Sequence, residues 1–513
     1  MEHIESADRH QVEISCLDEL IEQDNAVRFV DVFVNKLDLA QLKFKVKELK
    51  TEGRPSFNSK VFLKLYFYGY LNGIRSSRRL ERECKRNIEL QWLLCKLIPN
   101  YHSIADFRKD NPDALRNTFK MFVSFLKDMD LVSGTHAAID GTKFRAHNSK
   151  KNNYSHKKLE RHLTYIEEKT NDYLKELDAN DTTENVVKVT EVKQKIARLE
   201  ENKLKYELLK TELEQSGETQ VSTTDADARA LLVQGQVVEV SYNQQAAVDG
   251  KHKLVVATHT INKNDRNALH NVAKEAKENL QVETITAISD KGYHNGRELD
   301  KCKIDNIQTI CAKQVEVNNN GFGTTPDYIV SKFKYNETDD TYTCPAGETL
   351  HTKGTWHKKT RERDSYNFKK YRTPKCATCA VKHLCTGRAD GRREIERSEF
   401  AKAVEENEAR YKASKDLYRQ RQEWNEHIFG TIKRKWGYNY TNLKGLKKVN
   451  GEWALIMTVY NIRRCFTILG IKDFIEKMKN WTPNYKGISF VQQLLHQLNL
   501  ITSIFLSEQK FVA

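Results

Sequence analysis

The sequence predicts a mixed, helix-rich α+β chain in which a small sheet is interrupted by a long helical hairpin. Three observations predict it. Only 7 prolines occur among 513 residues, and so few breakers favour long helices. Two apolar stretches run into an aspartate, "THAAIDGTKF" at Asp140 and "ETITAISDKG" at Asp290. Both read as buried strands with a carboxylate at the tip. Between them Leu159, Ile166 and Tyr173 recur every seven residues, as do Val192, Leu199, Tyr206 and Leu213, the period of packed helices.

Composition narrows the function classes. The chain carries 85 Lys+Arg against 70 Asp+Glu, a net charge of +15, which points to a polyanionic partner and first of all to nucleic acid. Its mean hydropathy is −0.71. The longest apolar runs, such as "WALIMTVY" (453–460), are too short to span a bilayer, so no membrane partner is expected. The start "MEHIESADRH" has no apolar segment of the secretory kind. A cytoplasmic location with reduced cysteines follows as the expectation.

The elements are justified in order. Residues 1–135 read as helical. "RPSFNSKVFLKLYFYGYLNG" (54–73) follows a proline and ends on Gly73; Ser76 or Ser77 then caps a short helix, "RRLERECKRN". Leu80 and Cys84 face inward there, while Arg78, Arg79, Arg82, Lys85 and Arg86 fill the rest. Helix, turn and basic helix outline a helix-turn-helix in contact with DNA; a solvated amphipathic helix is the alternative. Ser103 is the expected cap of the next helix. Residues 150–235 form the hairpin, with "DANDTTEN" (178–185) between its arms. Strand signals return over 236–262, where Asp249-Gly250 marks a tight hairpin. A helix capped by Asp265 leads to the Asp290 strand. One long charged helix is expected over 402–435, and a buried one over 451–469. The resulting domains are 1–135, helical and DNA-binding; 136–149 with 236–315 and 402–469, the core; 150–235, the helical insertion; 316–401, a cysteine-containing insertion; and 470–513, a helical tail.

Two carboxylates at neighbouring strand ends repel each other unless a cation lies between them. Hard divalent ions such as Mg²⁺ or Mn²⁺ take oxygen ligands. Two of them about 4 Å apart can activate a nucleophile and stabilise a leaving oxygen in phosphoryl transfer. The C-terminal helix offers a third carboxylate, Glu426, with Arg419 seven residues before it and Lys433 seven after. That spacing places all three on one helical face, although an ordinary salt-bridged helix has the same pattern.

Taken together, "AIDGT" (138–142), "ISDKGYHNG" (288–296) and "EHIFGTIKRKWG" (426–437) resemble the three catalytic segments of insertion-sequence DDE transposases. The branch with Asp-Lys-Gly-Tyr in its second segment and a four-cysteine insertion fits best. "PSFNSKVFLKLYFYG" (55–69), "TDADARAL" (224–231) and "YNQQAAVD" (242–249) extend the resemblance over most of residues 10–465. It implies an RNase-H-like catalytic core in which Asp140, Asp290 and Glu426 bind two Mg²⁺ or Mn²⁺ ions. It implies cleavage of double-stranded DNA at terminal inverted repeats and joining of the freed 3′-OH to target DNA. It also implies a homodimer on DNA, associated with the bacterial nucleoid when bound. Related enzymes carry Tyr-x2-Arg-x3-Glu-x6-Lys around the third carboxylate. Here Glu426-x6-Lys433 matches, but the Arg and Tyr positions hold Gln422 and Arg419, with Arg421 and Tyr418 each one residue off. Lys433, Arg419 and Arg421 are therefore the DNA-contact candidates, and Asp225 and Asp227 are expected near the site. A metal-dependent nuclease on the same core, or a non-catalytic DNA-binding derivative, are the competing functions.

Cys344, Cys376, Cys379 and Cys385 have a spacing that suits either a structural Zn²⁺ or four reduced, unligated thiols; His383 is a substitute ligand. The nearby "HKKTRERDSYNFKKYR" (357–372) reads as a DNA-contacting flank.

Overall fold

The computed structural model describes residues 10, 12, 14–45, 56–147, 150–180, 186–233, 237–313, 324–361 and 364–485. Residues 54 and 55 of the expected second helix, 181–185 of the spacer between the hairpin arms, and the tail beyond residue 485 lie outside them. The chain divides into two compact units. One comprises residues up to Asp265, 275–282 and those from Gln422 onward; the other comprises 266–274 and 283–421.

The first unit opens with six helices, Ala26–Lys36, Ser59–Leu71, Ser77–Arg86, Ile88–Leu93, Tyr101–Asp110 and Pro112–Asp128. Asn25, Asn58, Ser76, Asn87 and Asn100 each accept an amide at a helix start, satisfying donors the helix cannot. Ser103, the expected cap, is instead the residue whose amide Asn100 accepts, at 2.9 Å. Phe29, Phe33, Phe67, Phe122 and Phe125 form an aromatic core. Helix Ile471–Asn480 docks there by stacking Phe474 on Phe29 with ring centroids 4.3 Å apart.

The sheet of this unit is built on Val237–Asp249, a central strand paired antiparallel with His136–Arg145, with Leu254–Ile261 and, through its first half, with Arg229–Val233. The Asp249 hairpin is present, and its carboxylate is fully buried. It accepts not only the turn amide of Lys251 but the amides of Ser133 and Gly134, at 2.9–3.0 Å, and so fixes the entry to the Asp140 strand. The outer edge of Leu254–Ile261 is covered by the core helix Leu446–Leu469, whose Asn461 pairs with both the amide and the carbonyl of Val255. An edge strand is thus satisfied by side chains rather than by another strand. The hairpin emerges as helices His156–Asn180 and Val186–Ser216, closed at the base by Asn153–Ser155 against Gln220–Ser222. Leu159, Ile166, Val192 and Leu213 of the heptad series are buried.

At the centre of the unit Glu452 of the core helix is completely buried. It accepts from Arg75 at 2.8 Å and from the amides of Asn442 and Leu443 at 3.0 and 3.1 Å, and Arg108 stands 3.8 Å away.

In the second unit Ile285–Ser289 and Ile307–Cys311 pair in parallel, joined by helix Gly296–Ile304, a βαβ crossover. Asn407 of helix Ala401–Ala413 brackets Cys311 by accepting its amide and donating to its carbonyl. The cysteine insertion is a six-stranded antiparallel sheet of Lys334–Asn336, Thr341–Thr343, Thr349–Thr352, His357–Arg361, Asp364–Arg372 and Glu394–Ser398. Its short strands alternate too briefly to read from sequence. Partly buried Asp340 organises them, accepting from Tyr335, Lys369 and Tyr371. Burial opposes its charge, but these three donors prevail and hold it at about 2.

The long helix expected over 402–435 is three pieces. Ala401–Ala413 ends at Ser414, which leaves helical geometry; Lys415–Gly430 follows, and Thr431–Lys435 is a π-helical turn. No single described helix is long and apolar enough to cross a membrane.

Glu452→Gln should cost about 3–5 kcal/mol in urea denaturation, because it strands buried guanidinium charge. Burial raises the Glu452 carboxyl, but Arg75, Arg108 and the hydrogen bonds outweigh it and hold it below the ordinary 4.5. A depressed carboxylate stabilises the fold above its unfolded pKa, and that stability is lost as pH falls below 4.5. Wild-type stability should therefore drop in acid more steeply than that of Glu452→Gln.

Candidate active site

In the first unit Asp140 lies mid-strand, not at a strand tip: His136–Arg145 continues five residues beyond it. The chain stays extended because the long Val237–Asp249 strand pairs with it throughout, placing Asp140 opposite Ala246 and Arg145 opposite Ser241. Asp140 is half-buried, and its Oδ1 accepts the amide of Gly141 at 2.8 Å. Gly141 must be small. A Cβ there would lie 2.0 Å from Gln245 Nε2 and 2.7 Å from Asp265 Oδ1. Asp265 does not act as a helix cap. Its carboxylate accepts from Lys143, Asn243 and Gln245, and these donors keep it below its ordinary pKa although burial pushes the other way.

Side chains alternate along a strand, so Thr142 shares the Asp140 face, while Gly141 and Lys143 share the Asp265 face. Lys433 lies on the Asp140 face. Its ammonium donates to Thr142 Oγ1 at 2.6 Å and to the Lys143 carbonyl at 2.8 Å, and it sits 4.6 Å from the Phe144 ring centroid. The expectation that Arg419, Glu426 and Lys433 share one α-helical face does not hold, because Lys433 lies within the π-helical turn. The Trp436 amide there bonds to the Thr431 carbonyl, five residues back. Under-winding turns Lys433 away from the α-helical register, and such turns recur at functional sites. Burial, with Lys143 adding, lowers the Lys433 ammonium to about 8.

Glu426 is exposed on Lys415–Gly430, and among the described residues it has no hydrogen-bond or ion-pair partner. Its helix is anchored on both sides of it. Trp424 fills the space beside Gly250, where a Cβ would come within 2.4 Å of the indole. Glu423 pairs with Lys253, and His427 bonds to the Tyr460 hydroxyl at 2.7 Å. Asp225 and Asp227 are engaged elsewhere. Asp225 accepts from Tyr242 and the Gly445 amide, and Asp227 accepts from the Leu446 amide at 2.7 Å, together capping the core helix.

In the second unit Asp290 follows the strand Ile285–Ser289 directly, at its C-terminal end. It caps a short 3-10 turn by accepting the Gly292 amide at 2.8 Å, and its carbonyl accepts from the Cys311 thiol at 3.0 Å. Burial pushes that thiol up to about 12. Tyr418 and Arg421 lie close enough for Asp290 to act on Tyr418 and for Arg421 to act on Cys311. Arg421 is buried, with its guanidinium 5.4 Å from the Tyr418 ring centroid. Arg419 points outward, pairing with Asp416 at 3.5 Å. Sequence reasoning set Tyr418 aside, yet Tyr418-x2-Arg421 keeps the motif's internal spacing and is offset from Glu426 by one residue.

Arg78, Arg79 and Arg82 are exposed on Ser77–Arg86 while Leu80 and Cys84 are buried. Arg78 lies over the Tyr101 ring, and Arg79 is 3.9 Å from Glu83. The four clustered cysteines are free thiols that line one pocket, which does not include His383. Among the described residues no group of three or more His, Cys, Asp or Glu is drawn together so as to hold a metal ion.

Two family models match the chain. Residues 343–466 match one described as Transposase DDE domain, and residues 15–110 match one described as Transposase domain (DUF772). The first match contains the four clustered cysteines, Glu426 and Lys433; the second contains the Ser77–Arg86 helix. No curated protein and no solved structure matches.

Lys433 should titrate at about 8, apart from exposed lysines near 10.4. Isotope-edited NMR of the reductively methylated protein measures this, with Lys433→Arg identifying the resonance.

Proposed function

We propose that this chain, which matches a transposase DDE domain over residues 343–466 and a transposase domain over residues 15–110, is an insertion-sequence DDE transposase that binds the terminal inverted repeats of its element, cleaves there and joins the 3′-OH ends to target DNA. The observation that carries the reading is Lys433. It belongs to the same motif segment as Glu426, and its ammonium bonds to Thr142, two residues from Asp140 and on the same strand face. Two of the three motif segments thereby meet inside one unit.

Asp140, Asp290 and Glu426 would hold Mg²⁺ or Mn²⁺. All three offer the hard oxygen donors these ions take, and Glu426 is exposed with no competing partner among the described residues. Bound ions of this kind supply activation of an attacking hydroxyl and stabilisation of the leaving oxygen in phosphoryl transfer. The chain's own residues do the rest. Lys433, charged at neutral pH, offers a positive contact to a phosphate beside Asp140. Arg421, stacked against Tyr418, supplies buried positive charge in the region of Asp290. Arg78, Arg79 and Arg82 present an exposed basic helix to the DNA backbone, and the net charge of +15 favours association with a polyanion. Two copies holding two element ends complete the assembly.

Purified protein incubated with Mg²⁺ and duplex DNA carrying the ends of its own element should nick at the repeat and transfer the 3′ end. Asp140→Ala, Asp290→Ala and Glu426→Ala should reduce both steps to background while retaining binding. Lys433→Ala should slow cleavage by about 10²–10³-fold, the usual cost of removing one charge-stabilising donor. Cleavage without joining would favour a nuclease, and binding without cleavage would overturn the catalytic reading.

A further inference from the structure

The four-cysteine pocket belongs to no step of that chemistry, and three observations point to what it does. The first is local geometry at Cys344. Cys344-Pro345-Ala346-Gly347-Glu348 folds back so that the Gly347 amide bonds to the Cys344 carbonyl at 2.9 Å and the Glu348 amide donates to Cys344 Sγ at 3.3 Å. Gly347 sits at φ +89°, a left-handed conformation that favours glycine. A backbone N–H aimed at sulfur favours thiolate over thiol, because an ionised acceptor makes the stronger bond.

The second is charge. Lys375, Lys382 and Arg393 line the pocket with the four cysteines. Its one acidic neighbour, Glu348, is neutralised by Lys375 at 2.9 Å. Four thiolates around a divalent ion carry a net charge of −2, which these cations offset. The third is the size of the core beside it. Among the described residues the apolar cluster of this sheet is Phe333, Tyr342, Leu350, Tyr371 and Ile395, with Tyr335, Cys344 and Cys385 packed against it and Phe368 buried outside it. A core this small ordinarily needs a staple. All four cysteines are free thiols, so disulfides do not provide it.

We infer that Cys344, Cys376, Cys379 and Cys385 form a structural site for a single Zn²⁺ that staples this β-module. As they stand the thiols line one pocket without being drawn together as a ligand set. The metal would close the arrangement to four thiolates, a closed tetrahedral shell with no open position and hence no catalytic role.

Full-length protein purified without chelator should contain about one zinc per chain by inductively coupled plasma mass spectrometry, and Cys379→Ser should lose it. Asp290→Ala should retain it, which separates this site from the carboxylates and from the outcome of the transposition assay. Should the serine variant misfold, cobalt reconstitution of the wild-type chain tests the same point. Intense sulfur-to-cobalt charge-transfer bands with tetrahedral ligand-field bands are expected. Zinc-free protein whose four thiols react freely with Ellman's reagent, disulfides found by mass spectrometry, or cobalt spectra without thiolate bands would each overturn the inference.

Discussion

The buried Glu452 carboxylate is the constraint on which the first unit depends. A lone charge in that position would be untenable, and it is made tenable by two guanidinium groups and two backbone amides. Each partner comes from a different part of the chain. Arg75 lies in the turn before the basic helix, Arg108 is on Tyr101–Asp110, and the Asn442 and Leu443 amides lie in the segment after the π-helical turn. Arg75 also donates to the Tyr440 carbonyl and stacks on Tyr438 and Tyr440. Residues 439–441 in turn bond to Arg145 at the end of the Asp140 strand. One buried charge thus ties the N-terminal helices, the core helix, the Asp140 strand and the exit from the Lys433 turn together. Such a cluster adds less to stability than apolar packing of equal volume would; its consequence here is register.

That register explains how Lys433 reaches the Asp140 face. The helix bearing Glu426 is fixed on one side by Trp424 against Gly250, and the chain beyond residue 438 is fixed by Arg75 and Arg145. Between those anchors, the π-helical turn changes the rotation per residue. In straight α-helical register Lys433 would stay aligned with exposed Arg419 and Glu426. With the turn under-wound it is half-buried on the strand. A local departure from regular helix, costly in hydrogen-bond geometry, is retained where it aims a side chain.

Much of this was legible in the sequence because it rests on periodicity and order. The heptad series predicted the helical hairpin, Asp249-Gly250 predicted the β-hairpin turn, and the third motif segment lies within the match to a transposase DDE domain. What was not legible depended on contacts between distant residues. Nothing in the sequence around Asp140 says that its strand continues to Arg145, since that follows from the length of the Val237–Asp249 strand it pairs with. Asp265 reads locally as a cap, and only the fold brings Lys143, Asn243 and Gln245 to it. Between Asn100 and Ser103 both are good caps, and the chain uses the earlier. Tyr418 is no candidate by its distance from Glu426, whereas Arg421 is one; the spacing between the two keeps the motif, and their side chains pack together in the fold. The β-module was missed because most of its strands are three to five residues long, too short for alternation to register.

The environment of Lys433 has one further consequence. Its hydrogen-bond partners are a hydroxyl and a carbonyl, and the Phe144 ring lies beneath it. Lys143 repels its charge, and Glu239 offsets only part of that repulsion. The ammonium is therefore solvated by neutral groups and left without a close counter-charge among these contacts. An anion arriving beside it would favour the protonated form and raise a pKa that now stands at about 8. Linkage then requires anion binding to be accompanied by proton uptake near that pH, and to weaken as pH rises through it. An arginine at this position would remove the coupling, because guanidinium stays charged throughout that range. A lysine desolvated in this way is poorly placed for a purely structural ion pair. It is well placed to respond to a phosphate brought against the Asp140 strand.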